Sequence, residues 1–352
     1  MKAPFRIIAI IFPVLFCFLM LACDDDKTVT PEEATFPYNQ HLVTVKRVNW
    51  HPASKPTQVD GTYRTGKTLW HNPGQRIPFE EIYDREAQAG KGIVTVFRII
   101  HRPLRYMEPD SSVPSWSGIM AYIGDDVTTT QSDFFEIRAR GGSMLHVDIG
   151  DISEDLDGDK LAVTEDTDMN GTLSEEEDVG LDGMSDAEEK IFYSDPDNPD
   201  PSGDNFYFFG EGNCPLATDS CAVLADLNYN DFLDDPIYYE WLNGTDGNRE
   251  DPATLGLPDK ENLSGGFNIT NAYNTFEVDL SDTLNDYYVK GSDKYSPGAF
   301  YPWRTFRIPF RGGDIEDTTR INYIRVWFSS DDQQTTPDTA EVAFWYFVKP
   351  GY

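Results

Sequence analysis

Short runs of alternating apolar and polar residues dominate this chain. Leu42–Val48, Ile93–His101, Gly118–Ile123, Phe134–Ala139, Met144–Ile149, Tyr273–Leu280, Arg304–Phe310, Ile321–Phe328 and Val342–Val348 all carry β-branched or aromatic residues with a period near two. Gly, Pro, Asn and Asp separate them, as turns require. Many short strands with so little helical periodicity predict an all-β fold, a jelly-roll-like antiparallel β-sandwich. Only Phe79–Ala89 reads as weakly helical. No period of 20–50 residues recurs, which argues against a solenoid or propeller. Two long interruptions break the strand rhythm, at about residues 151–205 and 211–265. Loops of that length inside a domain are usually functional or disordered.

The first residues follow a different pattern. Lys2 and Arg6 precede a charge-free apolar run from Ile7 to Ala22. The run is short for a membrane span and flanked like a secretory signal. It ends Leu19-Met20-Leu21-Ala22-Cys23, which looks like a lipobox with Cys23 as the lipidated residue. The expected organisation is a signal peptide over 1–22, a lipidated tether over 23–38, and one sandwich domain with two insertions over 39–352. The competing readings of the N-terminus are an ordinary signal peptide or a retained anchor helix.

Charge narrows the partners. The chain has 28 basic and 61 acidic side chains, a formal net charge of −33. That field repels phosphate backbones, so nucleic acid is excluded as a partner, and docking on anionic headgroups is disfavoured. With 22 Phe, 18 Tyr and 7 Trp the chain still has ample material for a core, unlike a disordered acidic tail. Cys17 falls within the signal. Cys214 and Cys221 bracket six residues and are expected to form a disulfide in an oxidising compartment, the alternative being two free thiols.

The acid is concentrated where the chemistry is most legible. Asp151–Glu189 contains 16 acidic side chains and one lysine. Within it Asp166-Thr-Asp168-Met-Asn170-Gly171-Thr172-Leu-Ser-Glu-Glu-Glu177 fits the calcium-loop pattern D-x-[DN]-x-[DN]-G-x5-E at every position. Oxygens at loop positions 1, 3 and 5 converge on a cation, Gly171 permits the sharp turn, Thr172 offers its carbonyl, and Glu177 closes the shell. A second copy follows directly, with Asp178, Asp182, Asp186 and Glu189 as ligands and Gly180 where the position-3 ligand should be. The 12-residue spacing leaves no room for the helix pair of a calcium switch. It suggests consecutive cation-wrapping turns, similar to thrombospondin type 3 repeats. Asp155, Asp157 and Asp159 repeat the alternation upstream, but Lys160 replaces the turn glycine. Asp226, Asn228, Asn230 and Asp234 form a further, poorer candidate. The alternative for the whole segment is a solvated acidic loop.

Other residue types carry less. Glu136, Asp148, Asp151 and Glu154 offer carboxylates for a glycosidase acid/base pair, but among 61 acids such pairs arise without function. The five histidines lack zinc spacing. No nucleophile-elbow, P-loop or dinucleotide motif is present. Trp116 and Trp303 fall near expected loop ends where a sugar would stack, with core or edge packing as the alternative.

Several segments, in order, resemble one family. They are Trp116–Met120, Phe135–Ile137, LHVDIGDISED (Leu145–Asp155), EEEDVGLDG (Glu175–Gly183), DPSGDNF (Asp200–Phe206), NGTDGN (Asn243–Asn248), LPDKENL (Leu257–Leu263), FRIPF (Phe306–Phe310) and RINYIRVWFS (Arg320–Ser329). Together they are similar to the repeated extracytoplasmic module of SprA-type cell-surface proteins, which serve gliding motility and type IX secretion. The resemblance spans roughly Leu69 to Val348. It implies an acidic, calcium-bearing β-sandwich in a cell-envelope setting. It does not imply a translocon, because those proteins are several-fold longer and this chain lacks a train of lipid-facing strands.

These readings converge on a non-enzymatic, calcium-binding lipoprotein of the outer membrane, at the cell surface or on its periplasmic face. Its expected partners are the membrane, through the lipid, and an envelope protein or surface glycan. A carbohydrate-binding module and a glycan-cleaving enzyme are the alternatives. If Cys23 carries the anchor, Cys23→Ser moves the protein from the membrane to the soluble fraction on cell fractionation. Membrane association that survives the substitution rules the anchor out.

Overall fold

Alternation becomes pairing in the computed structural model, which describes residues 40–43, 45, 49–73, 77–83, 92–124, 132, 134–171, 174, 177, 179–181, 185–192, 261–309 and 321–348. In chain order the first elements are β1 (Gln40–Leu42), β2 (His51–Pro52), β3 (Arg64–Thr65), β4 (Lys67–His71), β5 (Ile77–Pro78), α1 (Phe79–Ile82) and β6 (Ile93–Val94). Then come β7 (Phe97–Arg102), α2 (Leu104–Met107), β8 (Ser115–Tyr122), β9 (Phe134–Gly141), β10 (Met144–Asp151) and α3 (Asp186–Phe192). The last four are β11 (Ala272–Asp279), β12 (Arg304–Pro309), β13 (Tyr323–Ser330) and β14 (Asp338–Val348).

Two sheets form the sandwich. The first has the order β12-β9-β14-β7-β4, with β1 also on β14. The second has the order β11-β10-β13-β8-β2, with β3 also on β8. Apart from the short parallel β3–β8 contact, every pairing is antiparallel. The fold is therefore the expected all-β sandwich. Most of the expected strands are present with small boundary shifts, but the first meets β1 only at Leu42, with residues 43 and 45 outside any strand, and Ile93–His101 is divided between β6 and β7; residues 44, 46–48 and Phe310 lie outside the described residues. The weak helix shrinks to one turn, Phe79–Ile82, while residues 84–91 lie outside the described set.

One apolar layer lies between the sheets. Phe135, Ile137 and Ala139 of β9 and Ile99 of β7 meet Val147 and Ile149 of β10 and Ile324, Val326 and Phe328 of β13 in a single cluster. Strand β14 would lose this face after one slip, and a bulge prevents it. The register shifts between Val342 and Phe344, so Val342, Trp345 and Phe347 all reach the central core while Phe344 and Tyr346 pack outward. Trp345 stacks on Trp50 with ring centroids 4.7 Å apart.

The outer faces are buried as well, and here the alternation was misleading. Arg138, Asp148, Arg325, Glu136 and Glu341 occupy the polar half of their strands yet are at most 8% exposed. On the first sheet, β5, α1 and β6 contribute Ile77, Phe79, Ile82 and Val94 to a second cluster with Phe344 and Tyr346. On the second sheet the segment 52–63 lies across β8 and β13, with Val59 against Trp116 and Trp327. Beneath it, Asp148 Oδ2 receives Arg325 Nε at 2.7 Å and Trp327 Nε1 at 3.0 Å, and Arg325 Nη1 donates to the Ser54 carbonyl at 2.9 Å. Arg325 also lies over the Tyr273 ring.

A polar chain crosses the central layer at one end of the sandwich. His101 Nδ1 lies 2.6 Å from Ser117 Oγ, its Nε2 lies 3.2 Å from Ser330 Oγ, and the ring stacks on Phe328. Burial holds the imidazole neutral, its pKa pushed down to about 3. An unfolded histidine protonates near 6.5, so the unfolded chain takes up a proton that the fold refuses. The fold therefore loses stability as pH falls below 6.5, at about 1.4 kcal/mol per pH unit. Between pH 7.5 and pH 5 this one group costs about 2 kcal/mol. His101→Gln should flatten the pH dependence of urea unfolding by that amount. Identical slopes in parent and variant would refute the account.

Candidate metal centre

Where β10 leaves the sheet, a buried carboxylate sets the course of the chain. Glu154, 1% exposed, accepts backbone N–H groups from Leu263 (3.0 Å) and Ser264 (2.8 Å) on Oε1 and from Asn268 (2.8 Å) on Oε2. The Tyr323 hydroxyl donates to the same Oε1 at 2.9 Å. One side chain thus clamps the start of the acidic loops to the segment that returns into β11.

The next residues make a loop around three carboxylates. Asp155 Oδ1 accepts Gly158 N–H at 2.7 Å and its Oδ2 accepts Lys160 N–H at 3.1 Å. One oxygen each from Asp155, Asp157 and Asp159 lies within 4.8 Å of the others. The motif at Asp166 does the same. Its Oδ1 accepts Asn170 N–H and its Oδ2 accepts Gly171 N–H, both at 2.8 Å. Asp166, Asp168 and Glu177 bring one oxygen each within 4.8 Å.

The two loops share a backbone. Counting each from its first aspartate, positions 4 and 6 are left-handed in both: Gly158 (φ 87°) and Lys160 (φ 67°), then Met169 (φ 59°) and Gly171 (φ 79°). Glycine at position 6 is not obligatory, since Lys160 takes the conformation despite its Cβ. The steric cost of that is roughly 1–2 kcal/mol.

The closing carboxylates match too. Glu177 Oε1 accepts the N–H of position 2, Thr167 (3.0 Å), and its Oε2 accepts that of position 9, Ser174 (3.2 Å). In the upstream loop Glu261 Oε1 accepts position 2, Leu156 (2.9 Å), and its Oε2 accepts position 9, Val163 (2.8 Å). Each glutamate also donates its own N–H to the carbonyl of position 9. Glu261, 3% exposed, therefore stands in the upstream loop where Glu177 stands in the other, supplied from about a hundred residues downstream. Spacing within one loop could not reveal it. The only hint is that position 12 of the upstream loop is Asp166, which the next loop uses as its own first residue.

Electrostatics separates the two glutamates. Hydrogen bonds from Ser174 and Thr167 hold the Glu177 carboxyl down to about 2. Burial raises Glu261, and Asp157 and Asp155 add repulsion that the N–H groups of Leu156 and Val163 offset only in part. Each loop concentrates hard carboxylate oxygens whose remaining lone pairs suit a hard divalent cation.

The second predicted copy is only partly described. Thr172, Asp178 and Asp182 lie outside the described residues, as do Cys23, Cys214, Cys221 and Asp226–Asp234. Asp186 and Glu189 fall in α3, a seven-residue helix that begins at position 9 of that copy. At its start Glu188 Oε2 accepts both the Ser185 N–H and the Ser185 hydroxyl. The expectation of no following helix is thereby corrected. Asn170 is exposed and its Nδ2 donates to Asp168 Oδ2 at 2.8 Å.

The remaining candidates resolve into structural roles. Trp303 is fully buried under Arg140 and donates Nε1–H to Ser296 Oγ, and Trp116 is 5% exposed beneath Val59. Neither presents a ring face to a sugar. Packing won over exposure because the outer faces are covered. Glu136 and Asp148 sit on different sheets, bonded to Arg307 with Tyr346 and to Arg325 respectively. Asp151 accepts Asn268 Nδ2–H at 2.8 Å.

No protein-family model matches this chain, and no curated protein matches it.

Glu154→Ala should leave three N–H groups and a buried hydroxyl without their acceptor. The expected loss is about 3 kcal/mol or more in urea unfolding, larger than for the exposed Glu188→Ala. Equal effects would deny Glu154 its clamping role.

Proposed function

We propose that this chain is a non-enzymatic, calcium-stabilised cell-envelope lipoprotein whose jelly-roll sandwich binds another envelope component. The observation that carries the reading is the pair of acidic loops with one backbone, each closed by a buried glutamate at the same two N–H groups. Two loops built alike around converging carboxylates are better explained by a shared cation than by solvated acid. Asp155, Asp157, Asp159 and Glu261 would hold one ion, and Asp166, Asp168, Asn170 and Glu177 the other. The ion supplies the positive charge that each cluster lacks.

Strand order supports the jelly-roll label. Strands β12-β9-β14-β7 face β11-β10-β13-β8, the interleaving of two Greek keys. The envelope setting rests on the Leu-Ala-Cys23 motif and on the resemblance to SprA-type modules, with an accessory role in secretion or gliding as its natural extension.

Calcium then acts as a brace. Because an unfolded chain cannot assemble the ligands, occupancy adds stability by mass action, about 2.7 kcal/mol per site at a hundred times Kd. Kd values near about 10⁻⁴–10⁻³ M are expected for an extracellular module. Calorimetry should show at least two calcium ions. Glu177→Gln and Glu261→Gln should each weaken one site tenfold or more, and Glu175→Gln neither. Chelation should lower Tm by roughly 5–10 °C and expose residues 151–192 to protease. No calcium heat, or equal effects of all three substitutions, would reduce the loops to solvated acid.

A further inference from the structure

Seven of the eleven large apolar side chains exposed among the described residues lie at the end of the sandwich away from the acidic loops, and three of them share one hairpin. Lys294 and Trp303 exchange both backbone hydrogen bonds, at 2.9 and 2.8 Å, and Ala299 N–H closes the turn on the Ser296 carbonyl. Ser296 Oγ reaches the Glu81 carbonyl, and Trp303 is locked beneath Arg140. On this stiff base Tyr295 is 64% exposed, Phe300 85% and Tyr301 36%. The Phe300 and Tyr301 rings meet edge to face at 4.8 Å. Tyr301 is seated against the β9–β10 turn, where a Cβ on Gly142 would fall 2.2 Å from its hydroxyl. Tyr301, held between the Phe300 ring and the β9–β10 turn, is preorganised for contact, because little of its side-chain freedom remains to be lost.

We propose that this hairpin is a docking surface for a neutral glycan, with sugar rings stacking on Phe300, Tyr295 and Tyr301. Size, charge and position select that occupant. The three side chains expose about 280–460 Å², the footprint of a few sugar units. Residues 295–303 carry no charge in a chain of net charge −33, and beside them Arg304 is paired with Asp293 and Arg140 with Glu341, so the hairpin favours a neutral ligand. The hairpin adjoins Arg304, which pairs with Ala139, whereas residue 40 enters beside Val348 and Phe134. Those points lie five residues apart along β9, about 17 Å. A chain tethered at its N-terminal side thus holds the hairpin away from the membrane. This names the partner class left open above and rests on that reading only for its setting.

The test is affinity electrophoresis of the calcium-loaded protein through soluble starch, hydroxyethylcellulose, β-1,3-glucan and galactomannan, with alginate as the anionic control. At least one neutral polymer should retard the parent, and Phe300→Ala with Tyr295→Ala should weaken that retardation tenfold or more while Tm stays within about 2 °C. Gly142→Ala, which displaces Tyr301 but leaves the Tyr295 and Phe300 rings present, should have a smaller effect. Retardation by none, or equal retardation of parent and variant, overturns the proposal. So does ring-dependent binding to phosphatidylcholine vesicles, or a ring-dependent dimer in ultracentrifugation, in place of glycan binding. Calcium calorimetry on the same samples keeps failure here distinct from failure of the metal sites.

Discussion

Burying a carboxylate is costly unless something meets its charge, and this acidic chain buries seven among its described residues. Two solutions appear, divided by layer. On the outer sheet faces arginine answers: Arg307 for Glu136, Arg325 for Asp148, and Arg98 with Arg140 for Glu341. In the acidic loops backbone N–H groups answer, for Glu154, Glu165, Glu177 and Glu261. The first solution fixes which strands lie side by side, because each pair spans neighbouring strands. The second fixes the path of irregular chain, because each glutamate gathers amides that no sheet would satisfy.

The second solution is also incomplete, and that connects fold to function. Amide dipoles offset part of a carboxylate's charge but do not neutralise the aspartates grouped beside it. At Glu261, burial first and then repulsion from Asp157 and Asp155 raise the proton affinity. An ion would offset that repulsion, which is why architecture and proposed cofactor point the same way. The Glu154 clamp has a related effect. It holds both flanks of the acidic region to the sheet, so the loops start from a defined position.

Much of this was legible in residue order, for identifiable reasons. Alternation located the strands of the central layer because one face of each really is apolar, as in Leu145, Val147 and Ile149. The Asp166–Glu177 loop was legible because its partners lie within twelve residues. The misses share one cause, contacts made at long sequence separation. Glu261 belongs to a loop about a hundred residues upstream. Alternation implied solvent for Arg138 and Arg325, yet β5–α1–β6 and the 52–63 segment cover them. Trp116 and Trp303 were misplaced because those same covers bury them. Lys160 shows a softer limit, since a left-handed lysine is unfavourable but affordable once Asp155 accepts its N–H.

The position of β1 has a mechanical consequence. Gln40, His41 and Leu42 pair with Val348, Phe347 and Tyr346 on the strand that lies at the centre of the first sheet. A load applied between residue 40 and the far end of the sandwich runs along this ladder, so its rungs share the strain in shear instead of parting one at a time. β14 in turn passes force to β9 and β7 on its two sides. Three residue pairs thus join the start of the domain to the centre of the sheet in a geometry that resists shear.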